Sequence, residues 1–266
     1  MDLSRPWGRM RVWEFGSGQI PILAIHGLAG SGRYWEGLSR ALGSQFTVVA
    51  PDLSGFGASD KPNAHDYNRA SHISDLEAVI ERCIPTAPLT IVGHSMGGIL
   101  AGLVTARGTH PVDRLAVVAA PFPHGDGLPP QFQRARERDS HGVRGVIRAT
   151  VGAAWPVLTV PFRSKVYPRA VVVDYLKNTP QSYWESAASL IWSGDAATEL
   201  QPLRSYSNAA LLLTSDTDRA VWPESTAHWA ALLPAAERTT APGGHQLLLR
   251  THFAPLARWL QRTIAD

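Results

Sequence analysis

The sequence predicts one α/β domain, a mostly parallel central sheet with helices on both faces, interrupted once by a helical insertion. Three observations carry that prediction. Short aliphatic and β-branched runs alternate with longer helical patterns from Ile20 to Ala119, the rhythm of a parallel sheet joined by helical crossovers. The alternation stops at Pro121-Phe122-Pro123 and returns only after Pro202. Glycine-containing turns stand directly behind two of the apolar runs, where a buried strand would end.

In chain order, Ile20 to Ile25, Phe46 to Ala50, Leu89 to Val92 and Leu115 to Ala119 read as strands. They are near-continuous apolar runs, as expected of strands covered on both faces. Between them Tyr34 to Leu42 and His72 to Cys83 read as helices. In the second, Ile73, Leu76, Ile80 and Cys83 recur at helical spacing and form one apolar face. Residues 98 to 106 can run as a third helix. After the insertion, Ala209 to Thr214 reads as a strand, Pro223 to Leu233 as a helix, and Glu237 to Thr240 as a short strand. A last helix, His252 to Ile264, places Phe253, Leu256, Trp259 and Leu260 on one stripe. Residues 1–121 and 203–266 therefore form the core, and residues 122–202 the insertion.

Composition narrows the function classes. The chain of 266 residues carries a formal charge of +3 spread along its length, with no basic stripe interleaved with aromatics, so nucleic acid is not an expected partner. A single cysteine, Cys83, excludes an intramolecular disulfide and any cysteine-based zinc cluster; its apolar neighbours read as a small core position. No apolar stretch reaches the ~20 residues a membrane span needs. Met1 to Arg11 is polar and lacks the apolar centre of a signal peptide. The expectation is a cytoplasmic protein acting on a small molecule; nothing in the sequence specifies an oligomeric state.

The chemistry-bearing residues follow the strands. Gly93-His94-Ser95-Met96-Gly97 comes directly after the strand Leu89 to Val92 and directly before a helix. A serine on so sharp a strand-to-helix turn is held in a strained backbone conformation, and its neighbours must be small for the helix to pack back. His26-Gly27-Leu28-Ala29-Gly30 follows the strand Ile20 to Ile25. Such a turn can aim the Leu28 N–H at the same space as the Met96 N–H, forming an oxyanion hole. Asp216 and Asp218 follow the strand Ala209 to Thr214, and His245 follows Glu237 to Thr240. A serine hydroxyl needs a base near neutral pH, and the base needs a carboxylate to hold its tautomer.

These motifs in this order resemble the α/β-hydrolase superfamily. The resemblance rests on His26-Gly27, the run Pro51 to Ser59, Gly93 to Gly98, Asp218 and Gly244-His245. It implies a catalytic triad of Ser95, Asp218 and His245, with oxyanion donors Leu28 and Met96 and no metal or organic cofactor. It implies Asp218 rather than Asp216, because a small residue, two variable positions and then Asp fit Ser215 to Asp218. Asp52, in the turn after the second run, is read as structural. The insertion is implied to be a cap over the site. Haloalkane dehalogenases and epoxide hydrolases of the superfamily use Asp where Ser95 stands, and carbon–carbon bond hydrolases often carry Trp where Gln246 stands. The expected reaction is therefore hydrolysis of a carboxylic ester, lactone or thioester through an acyl-enzyme. A C–C hydrolase, lyase or acyltransferase on the same triad stays open, as does a ligand receptor with vestigial turnover.

The insertion holds Trp155, Phe162, Tyr167, Tyr175, Tyr183, Trp184 and Trp192. Together they favour an apolar acyl or ring-containing substrate. Arg134, Arg136, Arg138 and Arg148 suit a substrate carboxylate or a solvated helix face equally.

Overall fold

The computed structural model describes residues 1–85, 88–125, 127, 133–134, 137, 169–248 and 252–262. Among these, eight strands form one sheet: β1 (Asp2–Arg5), β2 (Gly8–Phe15), β3 (Ile20–Ile25), β4 (Phe46–Pro51), β5 (Leu89–His94), β6 (Val112–Val118), β7 (Ala209–Thr214) and β8 (Glu237–Thr240). Their order is β1-β2-β4-β3-β5-β6-β7-β8. From β4 to β8 all neighbours are parallel; β1 and β2 form an antiparallel hairpin added to that edge.

Alternation along the strands divides the core into two layers. Leu23 and Ile25 of β3 pack on one side with helices α2 (Arg69–Cys83), α3 (Met96–Arg107) and α7 (Glu224–Leu232), through Ile73, Leu76, Ile99 and Trp229. Ile22 and Ala24 face the other side, covered by α1 (Glu36–Leu42) and α8 (Ala254–Gln261) through Leu38, Leu42, Leu256 and Leu260. Asn68 starts α2 by accepting from the Ser71 N–H at 3.0 Å, which satisfies one of the amides a helix start leaves unpaired.

The six predicted strands all occur. The β1–β2 hairpin was not among them. Only Met10 and Val12 of β2 are buried, alternating with exposed Arg9 and half-buried Arg11, so its apolar signal is too thin to stand out from a polar N-terminus. Cys83 is half-buried beside Met1 rather than a core residue, because it lies where α2 runs out. The last helix is described as far as Gln261; the rest of its predicted length lies outside the described residues.

Of residues 122–202, read above as an insertion, the structure describes chiefly 169–202, which carry α4 (Arg169–Tyr175), α5 (Pro180–Ser186) and α6 (Gly194–Glu199). Trp155, Phe162, Tyr167, Arg136, Arg138 and Arg148 lie outside the described residues. The described part is anchored to the core by polar contacts. Ser31 Oγ donates to the fully buried Asp174 at 2.9 Å, Asn178 Nδ2 donates to the Ala29 carbonyl at 2.9 Å, and Ser186 Oγ donates to the Tyr67 carbonyl at 3.1 Å. Asp52 is buried and saturated: it accepts from the Gly32 N–H at 2.6 Å, the Ala58 N–H at 2.7 Å and the Trp13 indole at 3.0 Å. It pins the turn after β4 to β2, through Trp13, and to the helical turn that opens at Gly32 after β3. Among the described residues no helix is long and apolar enough to cross a membrane.

Candidate active site

Strand order brings the site together. The chain leaves β3 for β4 on one side and later returns to β5 on the other, so the turns after β3 and β5 leave the sheet side by side. Such a switch point opens a crevice at the carboxyl ends of the strands. The register sets Ile25 opposite Gly93 and His94 opposite Val118. β7 and β8 end on the same side, Thr214 opposite Thr240, and deliver the acidic and histidine turns.

Ser95 stands between β5 and α3 with φ 55° and ψ −124°, a region that side chains other than glycine rarely enter. The surrounding bonds hold it there: its N–H donates to the Val118 carbonyl at 2.8 Å and its carbonyl accepts from the Gly98 N–H at 2.8 Å. The two motif glycines are required by contact. A β-carbon on Gly93 would overlap the Gly97 carbonyl, and one on Gly97 would overlap the Ile25 and His26 carbonyls. The tight turn thus presses the start of α3 beneath the turn after β3.

Ser95 Oγ lies 2.9 Å from His245 Nε2, and His245 Nδ1 lies 3.0 Å from Asp218 Oδ2. The arrangement is that of a hydroxyl donating to a neutral imidazole whose other N–H donates to a carboxylate. Asp218 Oδ1 accepts from the Ala220 N–H at 2.8 Å and the Val221 N–H at 3.1 Å. Burial pushes the Asp218 carboxyl up, but the His245 hydrogen bond and charge and these two amides outweigh it. The net effect holds the group below its ordinary range, ionised. Asp216 is exposed on the same turn. His245 follows Gly243 and Gly244, whose φ values of 110° and 64° let the chain double back toward Ser95.

Leu28 lines the cavity above Ser95, together with Gly27, Ala29, Gly30, Tyr34, His94, His245, Gln246 and, from α4, Val171 and Tyr175. Met96 opens α3, so its N–H has no acceptor within the helix. The cavity measures about 110 Å3. A larger cleft of about 670 Å3 lies between Trp7, His65 and the start of α2; it contains no nucleophile paired with a base, so size there does not mark the chemistry. Trp184 and Trp192 pack against the core rather than lining the cavity; Tyr175 is the described aromatic of the insertion that reaches it. No group of three or more His, Cys, Asp or Glu among the described residues is placed to hold a metal ion.

His94 and Tyr34 were not singled out from the sequence. His94 occupies the variable position of the serine motif, yet it is buried and hydrogen-bonded to the His245 carbonyl at 2.9 Å. Tyr34 Oη accepts from the Gly27 N–H at 2.7 Å and lies 3.3 Å from His94 Nδ1. Nothing in the local spacing marks the two contacts of His94, which span 60 and 151 positions of the chain.

Comparison with known proteins agrees with the fold. The sequence model for the alpha/beta hydrolase fold matches residues 20–250. An uncharacterised protein of Mycobacterium tuberculosis is 37% identical over 113 residues, 42% of this chain and 33% of that one; the match spans only a third of that relative's length. A cis-3-alkyl-4-alkyloxetan-2-one decarboxylase of Xanthomonas campestris is 30% identical over 64% of this chain and 58% of its own. The solved structure of an esterase from Exiguobacterium antarcticum superposes with a TM-score of 0.73 at 18% identity, covering 100% of this chain and 99% of that one.

Proposed function

We propose that this chain, which belongs to the α/β-hydrolase family, is a serine hydrolase of carboxylic esters, lactones or thioesters. The observation that carries the reading is the unbroken line from Ser95 Oγ through His245 to Asp218, at 2.9 and 3.0 Å. In this reading Ser95 attacks the acyl carbonyl as His245 Nε2 takes its proton, and His245 returns that proton to the departing oxygen or sulfur. Water then enters and gives a proton to His245 as its oxygen bonds to the acyl carbon; the bond to Ser95 Oγ breaks, His245 returns the proton to Oγ, and the acid leaves. Asp218 keeps the proton of His245 on Nδ1 and stabilises the imidazolium formed at each step. The N–H groups of Leu28 and Met96 hold the oxyanion, and no metal or cofactor is needed. Residues 122–202 act as the cap, with Val171 and Tyr175 as the described walls of a small-molecule site for an apolar acyl group. The protein is read as cytoplasmic.

Labelling with a fluorophosphonate followed by peptide mapping tests the nucleophile: the adduct is expected on Ser95, and labelling elsewhere or none refutes the assignment. A panel of esters, lactones and thioesters then separates the substrate classes. One comparison favours a second reading within the same site: the Xanthomonas relative is named for decarboxylating an oxetan-2-one. An oxetan-2-one given to this protein should yield the ring-opened hydroxy acid under the first reading, and carbon dioxide with an alkene under the second.

A further inference from the structure

Two buried side chains that the proposed chemistry leaves idle link the two halves of the site. Tyr34 and His94 are 4% and 3% exposed. At one end of the link the Gly27 N–H can only donate, so Tyr34 Oη accepts it at 2.7 Å and turns its own proton to His94 Nδ1 at 3.3 Å. At the other end the His245 carbonyl can only accept, so His94 Nε2 must carry the hydrogen, at 2.9 Å. Both requirements select one neutral tautomer of His94. Burial also keeps the ring neutral, since it holds the imidazole down to about 3.

We propose that His94 and Tyr34 are positioning residues that tie the oxyanion turn to the main chain of His245, so that base and oxyanion donors are placed together. The proposal rests on the serine-hydrolase reading above. The need for such a tie is local. His245 follows two glycines in left-handed conformations, and its bonds to Ser95 and Asp218 orient the ring but not the peptide that bears it. Gly27 is pressed against the nucleophile, since a β-carbon there would lie 2.9 Å from Ser95 Cβ. A shift of the Tyr34–His94 pair is therefore felt at both Leu28 and His245.

The test uses His94→Leu, His94→Gln and Tyr34→Phe in the full chain, with kcat and KM measured on a p-nitrophenyl ester. A misplacement of about 1 Å costs on the order of 100-fold in rate. His94→Leu is thus expected to lower kcat by about that factor with little change in KM. His94→Gln, whose amide can still donate to the His245 carbonyl, should recover about tenfold of the loss, and Tyr34→Phe should lower kcat by roughly tenfold. The low-field proton resonance of His245 Nδ1–H, bonded to Asp218, should persist in the Gln variant and be lost in the Leu variant. A kcat for His94→Leu within about twofold of wild type overturns the proposal, as does an equal loss in the Gln and Leu variants. If His94→Leu does not fold, Tyr34→Phe, which removes one oxygen, decides by the same kcat criterion. Ser95→Ala assayed alongside separates the two failures: turnover surviving there refutes the nucleophile, whereas the proton resonance reports on the tie whatever the reaction.

Discussion

Replacing Asp218 by Asn should stop the reaction through hydrogen-bond polarity alone. The Ala220 and Val221 amides both donate to Oδ1, at 2.8 and 3.1 Å, so the asparagine must keep its oxygen there. Its amide nitrogen then faces His245 Nδ1, where Oδ2 stood at 3.0 Å. Two donors cannot share that contact, so the imidazole moves its proton to Nε2. Ser95, 2.9 Å away, then meets a donor instead of a base. Loss of the productive tautomer in such a triad costs about 10⁴ in kcat, which is about 5.4 kcal/mol of barrier at 1.36 kcal/mol per decade. Asp216→Asn, exposed on the same turn, should change kcat by less than about twofold. The assay is kcat at saturating ester for both variants, with fluorophosphonate labelling rates as a second measure. The reasoning fails if Asp218→Asn stays within about tenfold of wild type, or if the Asp216 variant is the inactive one.

Ser95→Ala should lower kcat by several orders of magnitude while keeping the fold, because alanine retains the β-carbon that the positive φ already accommodates; ester turnover near wild type would exclude the acyl-enzyme. Acid should destabilise the protein before its carboxylates titrate. His72 and His94 are buried, which pushes both down to about 3, whereas in the unfolded chain they bind protons near 6.5. Below that pH the unfolded state takes up protons that the folded state refuses. Stability complete above about 6.5 is then lost at about 1.4 kcal/mol per pH unit for each histidine, or about 4 kcal/mol for the pair by pH ~5. A urea midpoint unchanged from pH 7 to 5 contradicts this. Val171→Ala and Tyr175→Ala, at the α4 wall of the cavity, should raise kcat/KM for longer acyl chains relative to acetate. An equal fall on every chain length, with the protein folded, would mean that these side chains do not set acyl preference.

Much of this site was legible in the sequence because its signals are local. The serine turn needs small residues within two positions of Ser95, and the contacts of Gly93 and Gly97 are the reason. The buried parallel strands need continuous apolar runs, which is why β3 to β7 could be read while the half-exposed β2 could not. The resemblance pointed to Asp218 over Asp216, and of the two it is Asp218 whose carboxylate lies 3.0 Å from His245 Nδ1.

What the sequence by itself determined is therefore the order of strands and turns and the identity of the groups each turn presents. Tertiary structure decided which of those groups meet. The pairing of β3 with β5 across the switch point sets Gly27 against Ser95, and the ends of β7 and β8 carry Asp218 and His245 to the same edge. His94 looked like a free position in a motif, and Tyr34 like one aromatic of a helix. The bond between them and the bond of His94 to the His245 carbonyl arise only when distant segments share one buried space. A hydrogen bond between residues far apart in the chain leaves no periodicity or composition behind it, because either side chain alone is an ordinary core residue. The cavity wall is the same case, since only the docking of α4, through Asp174 on Ser31 and the adjacent Asn178 on Ala29, carries Val171 and Tyr175 over the serine.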